Sequence, residues 1–160
     1  YGEKAAENIR VWFINPETRM NPNMRYAQIQ RGSNGDVGAS FGVIETRDLF
    51  YLLDMVRILH KANILTTEEI DTLKQWLRKF SQYLLSSNQG RLEYSAVNNH
   101  GTFFDVQLAS IAAFLDDEVM FVKHSAVARS RMHTQFAPDG RLPHEMERPT
   151  QLHYMMFGLM

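Results

Sequence analysis

Apolar positions in this chain recur at helical spacing almost from end to end. Residues 3–14 put Ala5, Ile9, Trp12 and Phe13 on one face, and Pro16 ends that segment. A long polar loop follows over residues 15–42, rich in glycine and carrying Met20-Asn21-Pro22-Asn23. Loops of this length inside a compact domain are usually functional or disordered. The next helix is expected from Thr46, read as its N-cap, to His60. Leu49, Leu52, Leu53, Val56 and Leu59 make it apolar round most of its circumference, the pattern of an inner, buried helix. Thr66 and Glu69 form a capping box. The helix they open carries Ile70, Leu73, Trp76, Leu77, Phe80 and Leu84 along one stripe, with charges opposite, and closes at residues 86–90. A nearly unbroken apolar run over residues 106–115 predicts a second buried helix. Asp116-Asp117 then form a turn, residues 118–135 a further helix, and Pro138-Asp139-Gly140 another turn. No segment alternates as a strand does.

Buried helices thus alternate with amphipathic ones across short turns, which makes neighbours antiparallel. The expectation is an all-α fold: an (α/α) toroid or incomplete barrel of helical hairpins, in one partial domain over residues 1–160. No fixed-period repeat supports a tandem helical scaffold.

Composition narrows the function classes. Lys and Arg number 17 against 18 Asp and Glu, so the basic field of a nucleic-acid binder is missing. The absence of cysteine excludes disulfides and thiolate metal sites. The longest apolar run is far short of a membrane span. The chain starts at Tyr1 with no signal-peptide layout and stops inside an apolar run, so it reads as a fragment of a longer protein.

Candidate chemistry concentrates at Asn98-Asn99-His100-Gly101-Thr102, where amides, an imidazole and a hydroxyl stand at the mouth of the apolar run. Two readings compete there. Asn and Gly are ordinary helix-entry residues, and polar groups presented by a rigid helix also make a site. Tyr26, Gln28 and Gln30 alternate along the loop; Tyr26 is either an anchoring ring or a ligand contact. Arg148, His153 and Tyr154 come last, in an apolar frame where a tyrosine is commonly core. The glycines of the loop lack the Gly-Lys-Ser/Thr of a phosphate loop, and His144-Glu145 lacks the second histidine of a zinc helix.

Together these blocks carry a resemblance. The run from Asn98 to Gln107 resembles the Asn-Asn-His motif of the alginate lyase superfamily. Met20-Asn21-Pro22-Asn23 with Tyr26-Ala27-Gln28 is similar to its upstream loop, and Arg148 with Leu152-His153-Tyr154 to its arginine and catalytic tyrosine. All three come in family order and span nearly the whole chain. Phe103-Phe104 stand where relatives often carry Tyr or Trp, and Arg148 lies closer to Tyr154 than in the best-known bacterial alginate lyases.

The resemblance implies a toroidal polysaccharide lyase that cleaves a uronate polymer, alginate first, by β-elimination. Asn99 and Arg148 would neutralise the uronate carboxylate. Tyr154 would remove the C5 proton and protonate the leaving O4, with His100 as alternative base or further donor. Tyr26, Gln28, Asn98 and His153 would contact substrate. No metal or organic cofactor is required. The implied partner is an anionic polysaccharide, with neither nucleic acid nor membrane, and the implied location secreted or periplasmic. Two other classes remain open. A uronan hydrolase would need two opposed carboxylic acids, for which Asp105, Asp116 and Glu145 are candidates. A non-catalytic glycan-binding domain would need none.

Overall fold

The computed structural model describes residues 1–159, which form helices joined by turns and one long loop, with no strand among them. In chain order the helices are α1 (Gly2–Ile9), α2 (Leu49–Lys61), α3 (Thr67–Ser86), α4 (Asn88–Tyr94), α5 (Asn99–Leu115), α6 (Glu118–Gln135), α7 (Pro143–Met146) and α8 (Gln151–Gly158). They stack as antiparallel hairpins in the manner of an (α/α) toroid, with α5 at the centre between α2, α3 and α4 on one side and α6 on the other.

The core follows the apolar stripes. Leu53, Val56 and Leu59 of α2 meet Leu73, Leu77, Phe80 and Leu84 of α3 and Phe104, Leu108 and Ile111 of α5, all buried. At one end α1 widens into a π turn over Arg10–Ile14. This sets Phe13 edge-on to Trp76, with ring centroids 5.0 Å apart, and Trp76 stacks on Phe80 at 5.1 Å. Such pairs contribute about 1 kcal/mol beyond area burial.

Local signals placed several boundaries. The Thr66 hydroxyl accepts from the Glu69 N–H at 3.3 Å, and the Glu69 carboxylate accepts from the Thr66 N–H at 2.8 Å. Asp116 turns the chain in the left-handed region at φ 59°, and Asp117 caps α6 by accepting from the Met120 N–H at 2.9 Å.

The expected α2 needs correction. Thr46 does not cap it: Ser40–Thr46 is a separate 3-10 segment, and the helix begins at Leu49. Nor is α2 buried all round. Tyr51, Met55 and Ile58 stay exposed, because neighbours pack on one side of the helix only. The close at residues 86–90 is in fact the start of α4, with the Ser87 hydroxyl accepting from the Gly90 N–H at 2.9 Å.

The long loop is tied down rather than loose. The Trp76 indole N–H donates to the Met20 carbonyl at 2.8 Å, and the Gln89 amide donates to the carbonyls of Arg25 and Gly38. Gly38 must be glycine, since a Cβ there would meet the Ala27 carbonyl oxygen at 2.0 Å. This close approach brings the loop back on itself at Ala27 and Gly38.

Glu69 does more than cap. Arg10 donates to its carboxylate at 2.5 Å and to the Ile64 carbonyl at 2.9 Å, which locks the end of α1 to the start of α3. The Arg10 hydrogen bond holds the Glu69 carboxyl below its ordinary range; burial opposes this and the Thr66 N–H adds to it. A Glu69→Ala variant is expected to lose about 2 kcal/mol from cap and ion pair together, after allowance for the partial exposure of Arg10. A carboxyl with a lowered folded-state pKa contributes stability that is present at neutral pH and fades as pH falls through that value. Urea midpoints at neutral and at strongly acidic pH check this: the gap between wild type and variant should narrow in acid.

Candidate active site

Gln28 of the long loop, Asn98, Asn99 and His100 at the start of α5, and Arg148, His153 and Tyr154 near residue 150 line one cleft of about 790 Å³. Its walls come from the 3-10 segment and Arg47, from α4, from the start of α5, and from α8 with the residue Arg148 before it.

Helix entry at α5 builds the floor. Asn98 is the N-cap, its side-chain oxygen accepting from the His100 N–H at 3.2 Å. Asn98 thus caps the helix, and it also lines the cleft. Asn99 is 3% exposed; its backbone N–H donates to the Glu145 carboxylate at 2.6 Å, and its side-chain amide meets no hydrogen-bonding partner in the protein. A buried amide without a partner costs about 1–3 kcal/mol.

His100 pairs with Glu93 of α4, Nδ1 to Oε1, at 2.6 Å. A carboxylate accepts only, so Nδ1 carries the proton and Nε2 remains for a ligand. Glu93 is 3% exposed and acts as a fixed orienter of the ring.

The opposite wall comes from the end of the chain. The Arg148 guanidinium lies 3.9 Å from the centre of the Tyr154 ring, a close cation–π contact. Tyr154 is half-buried rather than core, and α8 as a whole buries no residue fully. His153 lies edge-on to Tyr154 at 5.2 Å and lines the same cleft.

Of the loop residues, Gln28 reaches the cleft and pairs with Glu45. Tyr26 does not: it is exposed outside the cleft, with Arg25 over its ring at 5.5 Å. The carboxylates considered for hydrolysis also lie elsewhere. Asp105 is buried between Arg131 at 2.5 Å and His124 at 3.1 Å, Asp116 stands at the α5–α6 turn beside Lys74, and Glu145 lies beneath Asn99.

Among the described residues, no group of three or more His, Asp or Glu side chains is placed to hold a metal ion.

With this geometry, the comparisons with known proteins are specific. The chain matches the family described as alginate lyase over residues 1–160. It belongs to the alginate lyase family. Its fold superposes on the crystal structure of an alginate lyase from Bacteroides ovatus with a TM-score of 0.94 at 29% sequence identity, over 99% of this chain and 42% of that one. The chain thus spans less than half the length of that relative. No curated protein matches it.

The sequence reading does not single out several residues that line this cleft, Glu93, Arg47 and Phe157 among them. Glu93 lies on a helix that was not foreseen, although Ser87 three residues before Gly90 is a capping signal. Arg47 was taken as the first turn of α2, and Phe157 as part of an apolar run.

Gly101, second after Asn99, has a packing reason. A Cβ there would meet the Ala96 carbonyl oxygen at 2.2 Å and the Arg131 guanidinium at 2.6 Å. An exposed mid-helix Gly→Ala change stabilises by about 1 kcal/mol. Here Gly101→Ala is expected to destabilise by about 2 kcal/mol. Thermal denaturation decides the sign, and a more stable variant would contradict the close approach.

Proposed function

We propose that the protein is a polysaccharide lyase that cleaves a uronate-containing polymer, alginate first among them, by β-elimination. The observation that carries this reading is the convergence of Asn99 and His100, at the start of α5, with Arg148 and Tyr154, before and on α8, in one cleft. Family membership and the fold match to an alginate lyase support it.

The chemistry assigns each group a task. Removing the C5 proton of a uronate places charge on its carboxylate, and fixed donors aimed there supply the largest stabilisation. Asn99 offers an amide with no other partner, and Arg148 a guanidinium suited to a carboxylate. The Tyr154 phenolic oxygen takes the C5 proton. The electron pair of that bond becomes the C4–C5 double bond, the C4–O4 bond breaks, and O4 leaves with the proton that Tyr154 returns. His100, oriented by Glu93, donates to the carboxylate when protonated; through Nε2 it is the alternative base for the epimer whose proton lies on the other face. Asn98, Gln28 and His153 contact the sugar, whereas Tyr26, outside the cleft, has no such task. None of these steps calls for a metal or an organic cofactor.

The hydrolase reading is weaker because Asp105, Asp116 and Glu145 do not line the cleft. A secreted or periplasmic location suits a polymer of this kind.

The test is absorbance at about 235 nm, where the new unsaturated uronate absorbs, with the full-length protein on alginate, poly-mannuronate, poly-guluronate and glucuronan. Tyr154→Phe and His100→Ala are each expected to lower kcat at least about a hundredfold. Unchanged cleavage in both would sink the assignment. New reducing ends without absorbance would point to hydrolysis, and binding without either product to a glycan-binding domain.

A further inference from the structure

A uronate polymer carries a carboxylate on every sugar, so a site with one cation meets only part of its substrate's charge. The cleft contains a second guanidinium. Arg47 follows the 3-10 segment and lines the cleft with a side chain 30% exposed. Its one ionic neighbour, Asp48, is 3.8 Å away and mostly solvated, and none of its side-chain nitrogens donates a hydrogen bond among the described residues. Such a surface pair contributes little and leaves the guanidinium available to another anion.

Arg47 is also held in place. Its backbone N–H donates to the Ile44 carbonyl at 2.9 Å. The preceding Thr46 hydroxyl lies 3.1 Å from the Val43 carbonyl and also bonds the side chain of Gln107, which is fully buried in α5. The guanidinium lies over the Phe157 ring at 5.1 Å, and Phe157 packs in turn on Phe103 and His153.

The two arginines therefore share one device. Arg148 sits on the Tyr154 ring and Arg47 on the Phe157 ring. Tyr154 and Phe157 are three residues apart on α8, a backbone rise of about 4.5 Å, so the two rings belong to neighbouring positions on one helix. We propose that Arg47 is a specificity-determining residue that binds the carboxylate of a uronate adjacent to the one at Arg148 and Tyr154. This rests on the uronan-binding reading of the cleft. Arg47 touches substrate without touching the reacting atoms, so its contribution is to binding rather than to proton transfer.

The test is equilibrium binding of saturated dimers and tetramers of mannuronate, guluronate and glucuronate to the full-length protein in a Tyr154→Phe background, with kcat and KM on polymer measured for Arg47 variants alone. Arg47→Ala is expected to weaken tetramer binding about tenfold, to flatten its salt dependence, and to raise KM on polymer with kcat nearly unchanged. Arg47→Lys keeps the charge and should recover part of the loss. Phe157→Leu, which removes the ring beneath the guanidinium, should reproduce a fraction of it. Tetramer affinity unaltered in Arg47→Ala, or a loss confined to kcat, overturns the proposal. If Arg47→Ala weakens tetramer binding while the wild type forms no double bond, the Arg47 site stands and the lyase reading falls. Failure of the parent protein to bind any of the oligouronates overturns both.

Discussion

The first backbone N–H groups of a buried helix must find acceptors from outside the helix. At α5 they are supplied by Asn98 and, from 46 residues further along the chain, by Glu145. A carboxylate at a helix N-terminus is favoured by the helix dipole as well as by the hydrogen bond. This one contact fixes the distance between the two halves of the site. Glu145 sits on α7, immediately before Arg148 and Tyr154, so the helix that presents Asn99 and His100 is joined to the segment that presents the arginine and the phenol. Four candidate groups from two separate segments, the start of α5 and the stretch through α8, are thereby tied to one cleft.

A second buried cluster supports the same floor from behind. Asp105 of α5 accepts from Arg131 of α6, whose other nitrogens donate to the carbonyls of Ala96 and Tyr94 in the turn between α4 and α5. That turn sits between Glu93 and Asn98, so Arg131 sets the approach of α4 to α5 and with it the Glu93–His100 pair. Burying Asp105 carries a desolvation cost, which the Arg131 and His124 contacts offset. Gly101 completes the arrangement, its missing side chain leaving room for the Ala96 carbonyl and the Arg131 guanidinium.

What could be read from the sequence divides along the reach of each interaction. The capping box at Thr66 and Glu69, the Asp116-Asp117 turn and the start and end of α6 rest on contacts within a few residues, and each was legible. Thr46 was misread as a cap because its hydroxyl has a tertiary partner, Gln107, that no local pattern announces. The helical spacing of α2 reports which positions are apolar, but not that only one side would be covered. Of the candidate site residues, Asn99, His100, Arg148 and Tyr154 came from the resemblance and converge in the fold. Tyr26, drawn from the same loop motif as Gln28, is exposed and stands outside the cleft that Gln28 lines. Glu93 and Arg47 escaped notice for one reason: a lone acid and a lone arginine acquire meaning only from what they face.

Charge explains why the local arrangement matters so much. Residues 1–160 carry a formal net charge of −1, so they present no overall positive field to the proposed polyanion. Within the cleft, Arg47 and Arg148 stand beside Glu45 and Glu93. Both carboxylates are engaged by protein partners, Glu45 by Gln28 and Glu93 by His100, whereas both guanidiniums rest on aromatic rings. An aromatic face holds a guanidinium in position without occupying all of its hydrogen-bond donors. The cleft thus keeps its negative groups paired and its positive groups available, the polarity that a polyanion requires of a protein with no excess of positive charge.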